Sequence, residues 1–314
     1  MNCVTLRLKT WREARILADE LQGWIFRGQQ DASWSLSTTL QRAGQQAQGT
    51  SLLLGKIEHQ IIEEFQRRAH HFLIDAPPLE NLIEWMALIQ HFGGPTRLLD
   101  FTSSFYVAAF FAVEKASSEC AIWGVNDHAL FKAVGPLLGV DMKESLLPYW
   151  QVPHRMGALA ETMLKENQTS FAQPKHFTFE VQPFRLNERL AVQQGRFLCP
   201  LSVDVPFIHS LAATFGLPHA TLSDTGIEDF IELNHARKLL NEAAVIKILL
   251  PLATHHDVLQ DLWNMNVTAA TLFPGLDGFA RSLHYFLRMD NLWSIKYESG
   301  GFDAARNDSS PGAE

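Results

Sequence analysis

Three short segments of the sequence combine charged or amide side chains with glycine, a combination that suits ligand binding better than core packing. They are FRGQ at residues 26–29, HFGGPTRLLDFTSS at residues 91–104 and RLAVQQGRF at residues 189–197. Each adjoins an apolar run, so the backbone there must turn or come close to another group. An arginine in such a setting needs a carboxylate, several carbonyls or a phosphate as its partner.

Within these segments a few side chains could perform acid–base or hydrogen-bonding chemistry. His91 and Asp100 are candidates for proton transfer, because imidazole and carboxylate groups are the usual general acids and bases. His91 could equally be the C-terminal cap of a helix. Arg97 and Asp100 could pair with each other to hold their segment rigid, or one of them could face a ligand. Gln193 and Gln194 could form a satisfied pair within a sheet.

Familiar catalytic signatures are missing. The sequence holds no GxSxG elbow, no GxxxxGK[ST] loop, no GxGxxG turn and no HExxH helix. Its three cysteines have no disulfide or metal-ligand spacing. His59 and Glu63 have a helical i,i+4 spacing that could share a metal, but an exposed helix pair explains that spacing better. We therefore expect no metal site.

Charge and hydropathy limit the classes of partner. The formal net charge of -8 argues against binding nucleic acid by charge alone, although a local basic groove is compatible with it. The N-terminal stretch lacks the apolar run of a signal peptide, and the longest apolar run, Phe105–Val113, is about half of a membrane span. We expect a cytoplasmic protein with no membrane partner.

The apolar patterns predict an α+β protein, with one mixed or antiparallel sheet and flanking helices. Strands are expected near residues 4–8, 23–28, 121–126, 176–183, 189–201 and 243–251, and helices near residues 11–21, 57–72, 79–91, 105–113, 257–264 and 276–288. Between them, residues 29–51 are expected to form a polar loop. We expect one domain over residues 1–297, with a helical insertion at 127–176 and a disordered tail at 298–314.

The three polar segments, in this order, resemble the FRG domain family, which is named after its Phe/Tyr-Arg-Gly strand. Here the family's motifs stand as FRGQ, HFGGPTRLLDFT and QQGRF, and the later KILLP and LFPGLDG are similar to its C-terminal pattern. The resemblance extends from about residue 24 to residue 283. Membership alone implies no particular activity, because the FRG domain has largely been an uncharacterised module.

A weaker resemblance is to ADP-ribosyltransferases of the Arg-Ser-Glu type, in which an aromatic-Arg-Gly strand, a Ser-Thr-Ser strand with its helix and a Glu-bearing strand follow in order. This resemblance implies that NAD is the substrate, and that Arg27, Gly28, Gln29, Arg97, Thr102 and Ser103 contact it. Arg27 would bind the dinucleotide, and Thr102 and Ser103 would support the ribose and the neighbouring strand. Gln193 or Gln194 would position the acceptor, and His91 or Asp100 would handle the proton.

The third segment departs from the transferase pattern, because it offers Gln193 and Gln194 where a Glu is expected. A neutral amide can bind a ribose hydroxyl but cannot stabilise positive charge or act as a general base. Either another carboxylate replaces the Glu or the protein performs no chemistry. The candidates for that carboxylate are Asp100, Glu228, Asp229 and Glu232.

Three functions follow from these observations, given in order of preference. The first is an NAD-dependent ADP-ribosyltransferase-like enzyme, as a toxin or phage-defence effector, whose acceptor is a protein, a nucleic acid or a small molecule. The second is a non-catalytic module that binds a nucleotide or nucleic acid. The third, ranked lowest, is a metal-dependent nuclease or other hydrolase built on His91, Arg97 and Asp100.

Overall fold

A computed structural model describes residues 2–47, 54–140, 157–159, 161–165, 176–184, 187–218, 222, 226–229 and 233–288. In these residues the chain forms one eight-stranded mixed sheet with helices on both faces. The expected α+β class with a single mixed sheet is confirmed. None of the described helices has the length and apolarity that crossing a lipid bilayer requires.

The sheet has the strand order β5-β6-β3-β2-β4-β8-β1-β7. Strand β1 pairs in parallel with β7 and β8, and every other neighbouring pair is antiparallel. The strands are β1 (Asn2–Arg7), β2 (Trp24–Gln29), β3 (Leu99–Thr102), β4 (Cys120–Asn126), β5 (Thr178–Val181), β6 (Gly195–Pro200), β7 (Ile227–Asp229) and β8 (Ala243–Leu250).

Thirteen α-helices have both ends within the described residues. They are α1 (Trp11–Glu20), α2 (Thr39–Gln46), α3 (Leu54–Ala69), α4 (Leu82–His91), α5 (Phe105–Val113), α6 (Asp127–Leu137), α7 (Glu188–Val192), α8 (Phe207–Thr214), α9 (Leu233–Glu242), α10 (His255–Asn264), α11 (Ala269–Leu272), α12 (Leu276–Ser282) and α13 (His284–Arg288).

Strand β2 contributes to two separate apolar cores because successive side chains of a strand point to opposite faces. Ile25 packs in the core that includes α4 and α6, whereas Trp24 and Phe26 pack in the core that includes α1 and α5. Helix α5 is apolar around its whole circumference and nearly all of it is buried, with Ser104 capping its first turn. Burial on both sides fixes β2 in the middle of the molecule.

The junction between β2 and β3 is the irregular feature of the sheet. Strand β2 pairs with β4 at every residue from Trp24 to Gln29, yet it pairs with β3 only where Phe26 faces Thr102. Strand β3 in turn pairs with β6 along its whole length. The two parts of the sheet therefore meet at one residue pair, and beyond it β2 and β3 separate.

Gly28 holds β2 against α5 at an unusually close distance. A Cβ atom on Gly28 would lie 2.0 Å from the carbonyl oxygen of Ala108 and 2.5 Å from the amide nitrogen of Ala112. Any other residue would push the strand away from the helix. The glycine of the first motif is thus required by packing.

Arg97 ties the start of β3 to α3 and β6. Its guanidinium forms a buried ion pair with Glu58, whose carboxylate also accepts a hydrogen bond from the Arg97 amide. The same guanidinium donates to the carbonyl of Leu201 at 2.7 Å. Burial alone would lower the pKa of Arg97, but the Glu58 carboxylate raises it above its ordinary value. Arg97 therefore pairs with Glu58 and not with Asp100, which excludes one of the two interpretations of these residues.

The predicted helix at 276–288 is divided into α12 and α13, and two other predicted segments contain elements of a type that was not expected. Residues 29–51 are not only a polar loop, because Thr38 and Gln41 form a capping box that starts α2. The predicted strand at 189–201 is instead the short helix α7, a turn at Gln193 and Gln194, and then β6. Gln193 and Gln194 are therefore not inside a strand.

The structure describes the predicted insertion only in part and does not describe the predicted tail. Residues 127–137 form α6, whose Leu130 and Val134 belong to the core that also includes α4 and Ile25. Much of 141–175 lies outside the described residues, as does the whole of 298–314.

We predict that Gly28→Ala destabilises the protein by at least about 2 kcal/mol, because the new methyl group must displace the backbone of α5. Urea denaturation followed by circular dichroism measures the change. The matched control is Gly55→Ala in α3, where the nearest atom to the new Cβ is 3.8 Å away. An equally stable Gly28→Ala variant would show that β2 and α5 can separate freely.

We predict that Glu58→Gln lowers the free energy of unfolding by about 3–5 kcal/mol, because it leaves the buried Arg97 without a counter-charge. The control is Glu63→Gln on the same helix, since the Glu63 side chain is 59% exposed. Its effect should stay within about 0.5 kcal/mol. Equal effects of the two substitutions would refute the structural role of the Glu58–Arg97 pair.

Candidate functional site

A cleft opens where β2 and β3 separate, with a volume of about 650 Å³. All three polar motifs reach it, through Arg27, Asp100 and Gln193. The other walls come from the loop after β2, helix α2, helix α7 and Phe111 of α5. Another cavity of about 650 Å³ lies between α5 and α10–α13, but none of the three motifs lines it. The cleft is therefore the candidate site.

Arg27 lies in the cleft with its hydrogen-bonding capacity only partly used. Its Nη1 atom donates to the carbonyl oxygen of Asp100 at 2.8 Å and lies 3.7 Å from the Asp100 carboxylate. Its Nε atom is buried and has no hydrogen-bond partner among the described residues. Burial lowers the pKa of Arg27, and the Asp100 carboxylate partly offsets this. An anionic ligand would supply the missing acceptor.

Two further guanidinium groups line the cleft. Arg42 comes from α2 and donates to the carbonyl of Ser37, and Arg189 comes from α7. Burial lowers the pKa of each, and the Asp100 carboxylate opposes that shift in both. Three arginines facing one carboxylate make the cleft positive within a chain of net charge -8.

Asp100 is the only carboxylate among the described residues that line the cleft. Its side chain is 58% exposed, so a ligand can reach it. The side-chain amide of Gln90 donates to it at 2.9 Å, and the Gln90 oxygen accepts from the hydroxyl of Thr96. Thr96 is buried and bonded through its amide to Thr39 at 2.9 Å. A chain of hydrogen bonds through Gln90, Thr96 and Thr39 thus orients the Asp100 carboxylate.

The third motif reaches the cleft through the turn that precedes β6. The hydroxyl of Thr102 donates to the carbonyl of Gln193 at 2.7 Å, and the amide of Ser103 donates to the carbonyl of Gln194 at 3.0 Å. Gln194 adopts a positive φ of 49° and is exposed outside the cleft. Gln193 lines the cleft, and its amide nitrogen donates to the carbonyl of Leu272.

A polar cluster lies beside this turn. Arg196 donates to the hydroxyl of Ser103 at 3.0 Å and to the Glu180 carboxylate at 2.8 Å. Burial raises the pKa of Glu180 to about 8, and Asp127 adds to that rise, although Arg196 opposes it. The Ser103 hydroxyl therefore already serves a structural contact.

Other residues of the first two motifs have structural partners. Gln29 accepts from the indole of Trp123 at 2.7 Å and donates to the carbonyl of Ser35, so both ends of its amide are occupied. Arg97 does not line the cleft, since it is buried against Glu58. A direct contact of Arg97 with a cofactor in the cleft is inconsistent with this position.

His91 lies at the C-terminal end of α4 and is not among the residues that line the cleft. Burial lowers its pKa, and the positive charge of Arg189 lowers it further. Arg97 is paired with Glu58. The three residues of the proposed hydrolytic site, His91, Arg97 and Asp100, therefore do not come together. No group of three or more potential metal ligands occurs in the described part of the chain.

Of the candidate replacements for a missing Glu whose side chains the structure describes, Asp100 lies at the cleft and Glu228 does not. Glu228 lies on β7, and three strands separate β7 from β2. The side chain of Asp229 and all of Glu232 fall outside what the structure describes.

The motif-based interpretation did not identify Trp34, Arg42 or Arg189 as cleft residues. A local signal existed for the two arginines, because each follows a helix-start pattern. Thr38 and Gln41 form a capping box before Arg42, and Asn187 caps α7 through the amide of Leu190. No comparable local pattern identifies Trp34.

We predict that Glu180 makes the protein less stable as pH rises. An unfolded Glu180 loses its proton near its ordinary pKa of 4.5, whereas in the folded protein it does so at about 8. Between these values the folded state binds more protons, so the free energy of unfolding falls as pH rises. Urea denaturation across that range measures the slope.

Glu180→Gln removes this titration and should flatten the dependence of stability on pH between these two values. Glu80→Gln, at an exposed position, is the control. A Glu180→Gln variant that keeps the wild-type slope would show that Glu180 titrates normally in the folded protein.

Comparison with known protein families identifies the part of the chain that carries the first two motifs. The model of the FRG domain matches residues 22–120, which include the first two motifs. The third motif lies beyond that match, although β6 places it beside β3. No curated protein and no solved structure matches the chain.

Two of the motifs that face the cleft thus lie inside the matched domain, and the third is joined to them through the sheet. The chain therefore contains an FRG domain, at residues 22–120.

Proposed function

We propose that the cleft binds NAD and that the protein is an ADP-ribosyltransferase-like enzyme. The observation that carries this proposal is the buried Nε atom of Arg27, which lacks an acceptor in a cleft that Arg42 and Arg189 also line. A guanidinium binds phosphate oxygens with two parallel hydrogen bonds. The pyrophosphate of NAD supplies two neighbouring anionic groups for such a cluster.

The proposed reaction is substitution at the nicotinamide ribose. The bond between C1′ and the nicotinamide nitrogen breaks, and nicotinamide leaves with the bonding electrons. A nucleophilic atom of the acceptor then bonds to C1′ and loses its proton. Positive charge develops on the ribose during this step, so a nearby carboxylate would lower its barrier.

Asp100 is our candidate for that carboxylate. It lines the cleft, it is exposed, and Gln90 orients it. Its carboxylate could also accept the proton that the acceptor loses. Asp100 would thus take over the charge that Gln193 cannot supply.

Gln193 would contribute binding. Its amide nitrogen is held by the carbonyl of Leu272, and its amide oxygen has no hydrogen bond within the described part of the chain. That oxygen could accept a hydrogen bond from a ribose hydroxyl. Thr102 and Ser103 would support the site indirectly, since their contacts hold the turn on which Gln193 lies.

The alternative is a module that binds a nucleotide without performing chemistry. A neutral Gln193 where a transferase would have a glutamate favours this alternative. The same three arginines would then serve binding alone. The toxin or phage-defence role belongs to the transferase proposal, and the identity of the acceptor would decide it.

We predict that Arg27→Ala weakens NAD binding by about 30-fold or more, because it removes a buried charged donor from the ligand. Asp100→Asn should retain binding but lower turnover by about 100-fold or more. The control is Arg67→Ala, because the Arg67 side chain is 79% exposed on α3. Calorimetry measures binding, and mass spectrometry measures nicotinamide release and adducts on a pool of protein, DNA and RNA.

Three results would separate the alternatives. Nicotinamide together with an ADP-ribose adduct, both lost in Arg27→Ala, supports the transferase and identifies its acceptor. NAD binding without product over long incubation selects the binding module. Full activity of a folded Arg27→Ala protein rules out the role given to Arg27.

A further inference from the structure

We infer that the indole of Trp34 is the platform on which the base of a nucleotide stacks, so that the cleft selects nucleotides over other phosphate-bearing molecules. This inference rests on the proposed ligand site, but not on the proposed transfer reaction. It applies equally to an enzyme and to a binding module.

The exposure of Trp34 is unusual for this protein. Its residue surface is 52% exposed, whereas Trp11, Trp24, Trp85 and Trp123 are each at most 6% exposed. Among the described tryptophans, Trp34 alone is an exposed residue. Burial of a large aromatic surface that is exposed to water is favourable, so a ligand that covers the indole gains binding free energy.

The loop that carries Trp34 is internally fixed. The Asp31 carboxylate accepts from the amide of Ser33 at 2.8 Å and from its hydroxyl at 2.6 Å. The amide of Trp34 donates to the carbonyl of Asp31 at 3.2 Å. These contacts close a tight turn immediately before the indole.

The same loop is also fastened to the sheet on both sides of Trp34. The amide of Ala32 donates to the carbonyl of Glu119 at 2.9 Å, and the Lys247 ammonium donates to the carbonyl of Ala32 at 2.6 Å. The Gln29 amide donates to the carbonyl of Ser35 at 3.2 Å. Side chains from β2 and β8 thus hold the backbone that presents the indole.

An exposed aromatic ring on a fixed loop needs no ordering when a ligand arrives, which favours binding. The ring lines the same cleft as Arg27, Arg42 and Arg189. Phosphate or a phosphorylated sugar would use only the arginines. A nucleotide matches both features, because it combines anionic phosphates with a planar base.

The test compares ligands that contain or lack a base, using the full chain. Calorimetric titrations use NAD, AMP, nicotinamide mononucleotide, ribose 5-phosphate and inorganic pyrophosphate. The variants are Trp34→Ala and Trp34→Phe, with Phe72→Ala as the control because Phe72 is 84% exposed but does not line the cleft. Circular dichroism checks that each variant is folded.

We expect Trp34→Ala to weaken NAD binding by about 5- to 150-fold, the range for loss of one base–aromatic stack. The same substitution should weaken the binding of AMP or of nicotinamide mononucleotide by the same factor. The mononucleotide that is affected identifies the base that stacks on Trp34. Trp34→Phe should retain most of the affinity, and Phe72→Ala all of it. Affinity for pyrophosphate and ribose 5-phosphate should not change in any variant.

The inference is overturned if Trp34→Ala binds NAD and both mononucleotides within twofold of wild type. It is also overturned if pyrophosphate binds wild type as tightly as NAD does, or if no nucleotide binds at all. If nucleotides bind through Trp34 but NAD is never consumed, the transferase proposal fails and this inference stands.

Discussion

The single residue pair between β2 and β3 is the constraint on which the site depends. If pairing continued past Phe26 and Thr102, backbone hydrogen bonds would fill the space that is now the cleft. Each strand is held in its own position: Gly28 fits β2 closely against α5, and the buried Glu58–Arg97 pair anchors the start of β3. The cleft is therefore bounded by fixed elements, which is how a binding site keeps its geometry before a ligand arrives.

Local patterns predicted two of the elements that line the cleft, β2 and α5, together with β4 and β8 further along the sheet. The apolar runs of β2, β4, β8 and α5 are buried on two sides, so their hydropathy alone identified them. Helices α2 and α7 were missed for a different reason. Helix α2 is rich in polar residues and resembles a loop, while the apolar residues of α7 lie next to β6 and resemble its continuation. In both, the capping residue was the informative signal.

Long-range pairing could not be predicted from the sequence. Arg97 and Asp100 are three residues apart, yet Arg97 pairs with Glu58, 39 residues earlier, and Asp100 is bonded by Gln90 from α4. Arg42 and Arg189 reach the cleft from helices far apart in the chain. Motif spacing located Arg27, Asp100 and Gln193 because Arg27 and Asp100 lie in the two strands that meet at the junction and Gln193 lies just before β6. It could not show which charge neutralises which.

Counter-charge distinguishes the structural arginine from the one suited to a ligand. Arg97 is buried, and a carboxylate and a carbonyl satisfy its guanidinium. Arg27 is mostly buried too, but it has one carbonyl, a more distant carboxylate and a buried nitrogen without an acceptor. A buried donor without an acceptor lowers the stability of the folded protein. Such a cost is expected at a functional site, where a bound ligand supplies the acceptor. The net charge of -8 is no obstacle, because the field inside a cleft is set by the groups that line it.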